Sequence, residues 1–304
     1  MNVGQRRSRS ISPLCALLGY SRQSFYQVSK ARQKQVLEEE LILQQVLLWR
    51  KSQPKVGTRK LYIHLQPFLE QHRISLGRDA LFGILADRNL LINKRKRLTP
   101  VTTHSNHWMH KYPNCIIGFV PTQAHQLLVS DITYIRLSSG GFAYLSLVTD
   151  AYSHKIVGYY LSKDLSTQGC IQALKMALKQ LASGTRPIHH SDRGCQYCSF
   201  DYVQLLSSYQ ASISMTQDSD PRENAIAERV NGILKQELLK EEFESLTQAR
   251  TAVAEAISVY NAIRLHSSIG MLTPQSAHTH TGTLERKWKN YYSPTRKEAE
   301  LASG

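Results

Sequence analysis

LLVSDITYI (127–135), HHSDRGCQY (189–197) and RENAIAERVNGILKQE (222–237) decide the fold, because each places one acid beside a regular element. Asp131 lies in an apolar, β-branched run typical of a strand, Asp192 follows a second such run, and Glu228 lies in a helical stretch. Acids so far apart in sequence form a site only if the fold brings them together.

Carboxylates that converge on one pocket repel each other unless a cation neutralises them. Hard divalent cations take oxygen ligands and keep waters that substrate phosphate replaces. Two such ions activate an attacking oxygen and stabilise the leaving oxygen in a displacement at phosphorus. Phosphoryl transfer is therefore the first hypothesis for this chain.

The net charge of the chain indicates which class of phosphate-containing substrate it binds. The 304 residues contain 38 Lys and Arg against 23 Asp and Glu, a formal charge of +15, which favours a polyanion such as DNA or RNA over a small acidic metabolite. The excess is concentrated before residue 120. An isolated basic run is often only a solvated helix face, but several runs in one segment indicate a nucleic-acid footprint.

Composition also indicates the compartment. No apolar stretch approaches the roughly 18 residues of a membrane span, and the start MNVGQRRSRS lacks the apolar core of a signal peptide. Five cysteines, an odd count, suit a reducing compartment. We expect a cytoplasmic protein without a membrane partner.

The chain is predicted to divide into five segments. These are a helix-turn-helix with a helical arm (1–53), a second helix-turn-helix-like module (54–98), a basic linker (99–122), the catalytic core (123–282) and a basic C-terminal tail (283–304).

The first segment predicts two short helices over 11–28, with Gly19 at the turn and Ser21 capping the second helix. That second helix would offer Arg22 and Gln23 to DNA, and a separate helical arm would follow over 34–49. The next module repeats the pattern around Gly77. A helical bundle that packs without touching DNA remains an alternative for both.

Further residues are candidates for DNA contact because they are basic or polar and lie in these modules or near the acids: Arg59, Lys60, Arg78, Lys94, Arg95, Lys96, Arg97, Arg193, Asn224 and Lys235. For Lys235 the alternative is an ordinary solvent-exposed helix lysine.

After residue 123 the pattern predicts an α/β domain of order β-β-β-α-β-α-β-α, with strands near 126–137, 141–152, 154–164, 186–191 and 211–216. Helices are predicted over 167–181, 200–209 and 221–239. In the last helix, a rotation of about 100° per residue gives one polar face and one apolar face. The polar face contains Asn224, Glu228, Asn231 and Lys235, and the apolar face contains Ile226, Val230 and Ile233.

Together with CALLGYSRQSFY (15–26), VGTRKLYIHL (56–65), YLSLVTDAYSHKIVGY (144–159) and YNAIRLHSSIGMLTP (260–274), these blocks resemble the retroviral-integrase-like DDE transposases of bacterial insertion sequences, in particular the OrfB proteins of the IS-three family. The resemblance implies an RNase H-like integrase core with a mixed five-stranded sheet and flanking helices. It implies that Asp131, Asp192 and Glu228 are both the catalytic triad and the metal ligands. Two Mg²⁺ ions per site are expected, with Mn²⁺ able to substitute.

The same resemblance implies cleavage at insertion-sequence ends and attack of a 3′-hydroxyl on a target phosphodiester. Expected partners are transposon-end DNA, target DNA, at least one further copy of the chain, and an OrfA protein, separate or fused as OrfA–OrfB. The expected place is the bacterial cytoplasm, on the nucleoid. Alternatives are a DNA-binding regulator with an inactive integrase fold and a ribonuclease H-type nuclease.

Three neighbouring features keep second interpretations open. Glu223 stands where the family commonly has Asp, which makes it a rival to Glu228, although the helical wheel favours Glu228. Asp150, at the end of the second strand, is either a turn cap or a fourth ligand. Cys195 and Cys198 form a CxxC pair without a second ligand pair to complete a zinc site.

Overall fold

The computed structural model describes residues 11–92, 108–217 and 221–285, and the chain divides into two compact units, Met1–Asn93 and Lys94–Gly304. Parts of several predictions lie outside the described residues: the basic run Lys94, Arg95, Lys96 and Arg97, the linker before residue 108, and the tail after residue 285.

The first unit is helical, with α1 (Ser12–Leu17), α2 (Arg22–Ser52), α3 (Thr58–His72) and α4 (Arg78–Asp87). Gly19 adopts a φ of +70° at the turn after α1, and Ser21 Oγ accepts a hydrogen bond from Ser24 N at 3.0 Å, as an N-cap does. The prediction of a separate helical arm is wrong. No Gly or Pro interrupts the sequence from residue 22 to 52, so the second helix and the arm form one helix.

One core holds most of the first unit together. The second half of α2 packs on α3 and α4 through fully buried side chains, namely Ile42, Val46, Leu61, Leu65, Leu81 and Leu85. The predicted boundary after residue 53 therefore lies inside a packed structure, because burying these side chains requires all three helices.

The second unit is built on a mixed sheet. Its strands are β1 (Leu127–Leu137), β2 (Phe142–Asp150), β3 (Ile156–Ser162), β4 (Ile188–Ser191), β5 (Ser212–Met215) and the two-residue β6 (Glu242–Phe243). The order is β3-β2-β1-β4-β5, with β1, β2 and β3 antiparallel and β4 and β5 parallel to β1. This confirms the predicted mixed α/β sheet. The sixth strand, β6, extends the pairing of β1 at its far end.

Helices cover both faces of the sheet: α5 (Thr167–Leu178), α6 (Cys195–Cys198), α7 (Phe200–Ser208), α8 (Ala225–Ile233), α9 (Leu246–Ala262) and α10 (Pro274–Ala277). On one face α5 approaches β3 so closely that a Cβ on Gly158 would lie 2.0 Å from the Ala173 carbonyl oxygen. On the other face α8 and α9 bury Leu145 and Leu147 of β2. The central strand β1 therefore lies in the middle layer of three.

The predicted single helix over 221–239 is wrong in its details. The structure has a 3₁₀ turn at Pro221–Asn224, then α8, then a π turn at Leu234–Leu238, in which Leu239 N donates to Leu234 O at 2.8 Å. Residues five apart on an α-helix point about 140° away from each other. Because Leu234 and Leu239 are both buried in the same core, the helix widens there.

Two further observations concern the whole chain. Helix α5 ends at Leu178, three residues before the predicted end, and α9 was absent from the sequence-based prediction. Within the described ranges, no helix combines the length and the apolar character needed to cross a membrane.

Candidate active site

Asp131 stands in the middle of β1, between β2 and β4. Its Oδ1 accepts a hydrogen bond from Ile132 N at 2.9 Å, and its Oδ2 accepts one from Asn231 Nδ2 at 2.7 Å. The side chain is half-buried. Its direction is therefore fixed both by its own strand and by α8.

Asp192 is the residue that follows β4. The parallel register pairs Val129 with His190, so its extension along both strands brings Asp192 beside Asp131. Asp192 Oδ1 accepts a hydrogen bond from Gly194 N at 3.0 Å. A Cβ on Gly194 would lie 3.0 Å from the same oxygen, so glycine allows the backbone to approach the carboxylate.

Glu228 extends from α8 as an exposed side chain between two amides that attach the helix to β1. Asn224 Nδ2 donates to Ser130 O at 2.9 Å on one side, and Asn231 Nδ2 donates to Asp131 on the other. Val230 is buried against the core on the opposite face. The predicted polar face of this helix is thus turned toward the strand that carries the first acid.

The three acids act on one another electrostatically. Burial, together with the charges of Asp192 and, more weakly, Glu228, raises the pKa of Asp131 to about 7, against the lowering effect of the two hydrogen bonds that Asp131 accepts. Partial burial lowers the pKa of Lys235, whose ammonium is attracted to Asp131. Carboxylates that raise one another's pKa in this way favour a divalent cation.

The donor set fits such a cation in part. Among the residues that the structure describes, no three His, Cys, Asp or Glu side chains lie close enough to form a complete metal-binding cluster. Mg²⁺ is usually held by only one or two carboxylates, with waters and substrate phosphates as its other ligands. The adjacent pair Asp131 and Asp192 meets that requirement, and Glu228 lies on the facing helix.

Asn224 was predicted to contact DNA, but its side chain is 8% exposed and its amide nitrogen is engaged by Ser130 O. Arg193 is half-buried beside Asp192, and Lys235 is exposed in the π turn. Of the three named residues, only Lys235 is exposed.

The remaining predicted DNA contacts that the structure describes lie on the first unit. Arg22 and Gln23 are exposed at the start of α2, Arg59 is exposed and Lys60 half-buried at the start of α3. Arg78 is exposed at the start of α4 and forms an ion pair with Asp79 at 2.8 Å. These side chains share a position near helix N-termini, where backbone N–H groups also attract phosphate.

The rivals to the three acids occupy other roles in the structure. Glu223 Oε2 accepts a hydrogen bond from Gln217 N at 2.5 Å. Asp150 is fully buried and accepts hydrogen bonds from Ser153 N at 2.8 Å and His125 N at 2.6 Å, the pattern of a turn cap. Neither carboxylate is among the charges that raise the pKa of Asp131.

Sequence reasoning missed a buried support beneath the acids. His189 Nε2 lies 2.8 Å from Ser130 Oγ and 2.9 Å from the Tyr202 hydroxyl, and burial lowers the pKa of His189 to about 3, so the ring is neutral. His190 is also buried, with Nδ1 2.9 Å from Ser214 Oγ, and is therefore a packed core histidine. The sequence signal was that polar residues precede both strand acids at positions where an apolar core was expected.

Comparisons with known proteins agree with this arrangement. Two integrase core domain models match residues 121–221 and 209–274. The uncharacterized 31 kDa protein of insertion element IS600 from Shigella sonnei is 33% identical over 267 residues, which are 86% of this chain and 96% of that protein. The chain belongs to the IS-three family of insertion-sequence transposases.

Other insertion-sequence transposases match over about half of this chain. The transposase InsF for insertion sequence IS3A of Escherichia coli K12 is 35% identical over 159 residues, 52% of this chain and 55% of that protein. Among solved structures, the HTLV-2 integrase catalytic core domain in complex with magnesium is 18% identical with a TM-score of 0.42, and the match covers 52% of this chain and 99% of that chain.

Proposed function

We propose that this transposase cleaves DNA at the ends of an insertion sequence and joins a 3′-hydroxyl of the element to a phosphodiester of target DNA. Asp131, Asp192 and Glu228 are its catalytic acids. The observation that supports the proposal is the hydrogen bond from Asn231 to Asp131, which attaches α8, the helix that carries Glu228, to the strand that carries the first acid.

The proposed cofactor is Mg²⁺, two ions per site, with Mn²⁺ able to substitute. Asp131 and Asp192 would hold one ion, and Asp131 with Glu228 the other. When bound, the ions make the attacking oxygen a better nucleophile and stabilise the leaving oxygen. They would also keep Asp131 ionised at neutral pH, because a cation lowers the pKa that burial and Asp192 raise.

Three further side chains have assigned parts in this proposal. Asn231 occupies Oδ2 of Asp131 on the helix side and fixes the carboxylate plane. Lys235, exposed and attracted to Asp131, binds a DNA phosphate close to the acids. Arg193 follows Asp192 directly and neutralises a phosphate on the other side.

Recognition of the element end is assigned to the first unit. Arg22, Gln23 and Arg59 are exposed at helix starts, where side chains reach base edges and phosphates together. Joining two ends to one target requires at least two copies of the chain. An OrfA partner, and action on nucleoid DNA in the bacterial cytoplasm, belong to the same proposal.

A strand-joining assay tests this function. The full chain is incubated with a labelled element-end duplex, a supercoiled plasmid and Mg²⁺, and in parallel with an RNA–DNA hybrid. We expect labelled DNA joined to plasmid and no degradation of the hybrid. Binding of the end without joining would support an inactive regulator instead, and cleavage of the hybrid's RNA strand would support a ribonuclease.

A further inference from the structure

An ion pair between the buried Arg264 and the half-buried Glu237 joins the end of α9 to the π turn that follows α8. Just after the end of α9, Arg264 donates from Nε to Glu237 Oε2 and from Nη2 to Glu237 Oε1, both at 2.8 Å. Two parallel hydrogen bonds between a guanidinium and a carboxylate fix orientation as well as distance. Glu237 lies in the π turn, so the pair holds this turn in one geometry.

The environment of Arg264 distinguishes this pair from a surface ion pair. The side chain is 2% exposed, and its remaining nitrogen donates to His266 Nε2 at 3.0 Å and Leu265 O at 3.3 Å. The ring of His266 packs edge-on against Tyr260 at 4.9 Å. A buried guanidinium with every nitrogen engaged is costly to leave without its carboxylate partner.

The π turn lies between two segments that are both attached to β1. Upstream of the turn, α8 carries Glu228 and is attached to β1 by Asn231. Downstream, β6 pairs with β1, with Phe243 opposite Leu137. Both ends of the segment are therefore fixed to one strand, and the π turn sets how α8 is rotated between them.

Relaxation of the π turn would disturb the acids. A π turn contains one more residue than the α-helical turn it replaces, so closing it would rotate one end against the other by about 100°, the rotation of one residue. Leu239 and β6 hold the downstream end in the core. The rotation would then fall on Lys235 and on the helix that presents Glu228.

We propose that Arg264 and Glu237 are positioning residues whose buried ion pair holds the π turn and thereby aligns Glu228 and Lys235 with Asp131 for strand joining. The inference rests on the proposed function of this site. It also assigns a role to the sequence block 260–274, which contains Arg264 and to which the proposed chemistry gives none.

The test must separate positioning from stability. Replacing a buried ion pair by apolar residues of similar volume often leaves stability unchanged or raises it. Removing only one partner lowers stability, because the other charge is left buried without a partner. We therefore choose the double variant Arg264→Met with Glu237→Leu in the full chain. The matched control, Lys175→Gln with Glu255→Gln, removes one cation and one anion from exposed positions of α5 and α9.

The measurements are the melting temperature, the affinity for the element-end duplex, and the strand-joining rate in Mg²⁺. We expect the apolar pair to leave melting and end binding close to wild type and to lower the joining rate by about 100-fold, the scale of a displacement of roughly 1 Å in a site. The control should join at the wild-type rate. An apolar-pair variant that joins as fast as wild type would overturn the inference.

A double-mutant cycle tests whether Lys235 and the ion pair act on strand joining through the same π turn. Lys235→Ala should cost less in the apolar-pair background than in wild type, because Lys235 is already displaced there. Equal costs in both backgrounds would contradict a shared route through the π turn.

Failure of the apolar-pair variant to fold and failure of the wild-type chain to join strands have different meanings. If the apolar-pair variant fails to fold, Arg264→Lys is used instead, because lysine keeps the positive charge but cannot form two parallel hydrogen bonds with Glu237. It should lower the strand-joining rate about tenfold and leave end binding unchanged. A wild-type joining rate would again overturn the inference. Failure of the wild-type chain to join strands would instead count against the proposed function.

Discussion

The two units of the molecule present their functional side chains in different ways. In the catalytic unit the polar groups bind one another: Asn231 holds Asp131, and Gly194 N holds Asp192. In the first unit the predicted DNA contacts Arg22 and Gln23 stand exposed at the start of a helix. A site for chemistry requires preorganised groups and can form within one chain, whereas a surface for DNA recognition would be completed by the DNA itself.

The two units also differ in how far their large apolar side chains are exposed to solvent. Leucines of the central sheet such as Leu128 and Leu145 are fully buried, whereas Leu14, Leu17 and Leu18 around α1 are 63%, 85% and 61% exposed. An exposed cluster of large apolar side chains is typical of a surface that meets a partner. The comparison predicts that changes in the catalytic unit affect chemistry and that changes in the first unit affect binding.

The largest expected effect is on chemistry alone. Asp131→Asn, Asp192→Asn and Glu228→Gln should each reduce strand joining by at least about 1,000-fold, because loss of metal stabilisation costs several kcal/mol. End binding, measured by gel shift, should stay within a few-fold of wild type. A variant that joins strands in Mg²⁺ at near wild-type rate would remove its residue from the active site.

The second-largest expected effect is on DNA binding alone. A fragment from residue 108 to 285 should fold and lose most end-specific binding, which for DNA-binding proteins exceeds non-specific binding by about 10³-fold or more. Thermal melting and gel shifts over a salt series measure both properties. Retention of sequence-specific binding by the fragment would relocate recognition to the catalytic unit.

The start of that fragment is set by the structure. Cys115 N donates to Ser214 Oγ at 2.9 Å, Met215 N donates to Pro113 O at 3.3 Å, and Met109 and Tyr112 pack against the core beside α7. The segment that was predicted to be linker thus belongs to the catalytic unit from residue 109 onward. Cutting at residue 123 would expose this part of the core.

Much of the catalytic unit was predictable because its signals are local. The runs of β-branched and aromatic residues predicted β1, β2 and β3 correctly, and the acids near the strand ends predicted the candidate site. The π turn was not predictable, since it depends on the burial of Leu234 and Leu239 in a core formed by distant elements. The pairing of Arg264 with Glu237 has the same origin, because no local pattern joins α9 to that turn.

In the first unit the local signals were misleading in one respect. Ser21 predicted the start of α2 correctly, but the absence of Gly and Pro after Val28, which lets the helix continue, was not used in the prediction. Tertiary packing of Ile42 and Val46 on α3 decides that the helix continues to Ser52. Contacts with DNA were not predictable at the level of single residues, since exposed arginines look alike before a duplex is present.

A smaller effect distinguishes the two neighbouring glutamates. Glu223→Gln should leave strand joining within about tenfold of wild type, because a carboxylate outside the acidic site contributes at most about 1 kcal/mol of pairing. Glu228→Gln, assayed beside it, should be inactive. An inactive Glu223 variant beside an active Glu228 variant would reverse the assignment.

The smallest effect is on stability and depends on pH. Because the folded-state pKa of Asp131, about 7, lies above its unfolded value, the folded chain binds more protons, and the stability of the metal-free chain falls as pH rises from about 4 to about 7. Asp131→Asn should therefore raise the melting temperature at pH 8 by a few degrees and change it less at pH 5. Equal shifts at both pH values would contradict the raised pKa.

Iron-directed cleavage tests the convergence of the three acids most directly. Fe²⁺ is added to the metal-free chain in place of Mg²⁺, and its reaction with added peroxide, sustained by ascorbate, generates radicals that cut the backbone beside the bound ion. The account predicts cuts near Asp131, Asp192 and Glu228, all suppressed by excess Mg²⁺ and all lost in Asp131→Asn. Cuts near Asp150 or Glu223, or cuts that persist in Asp131→Asn, would contradict a metal site formed by these three acids.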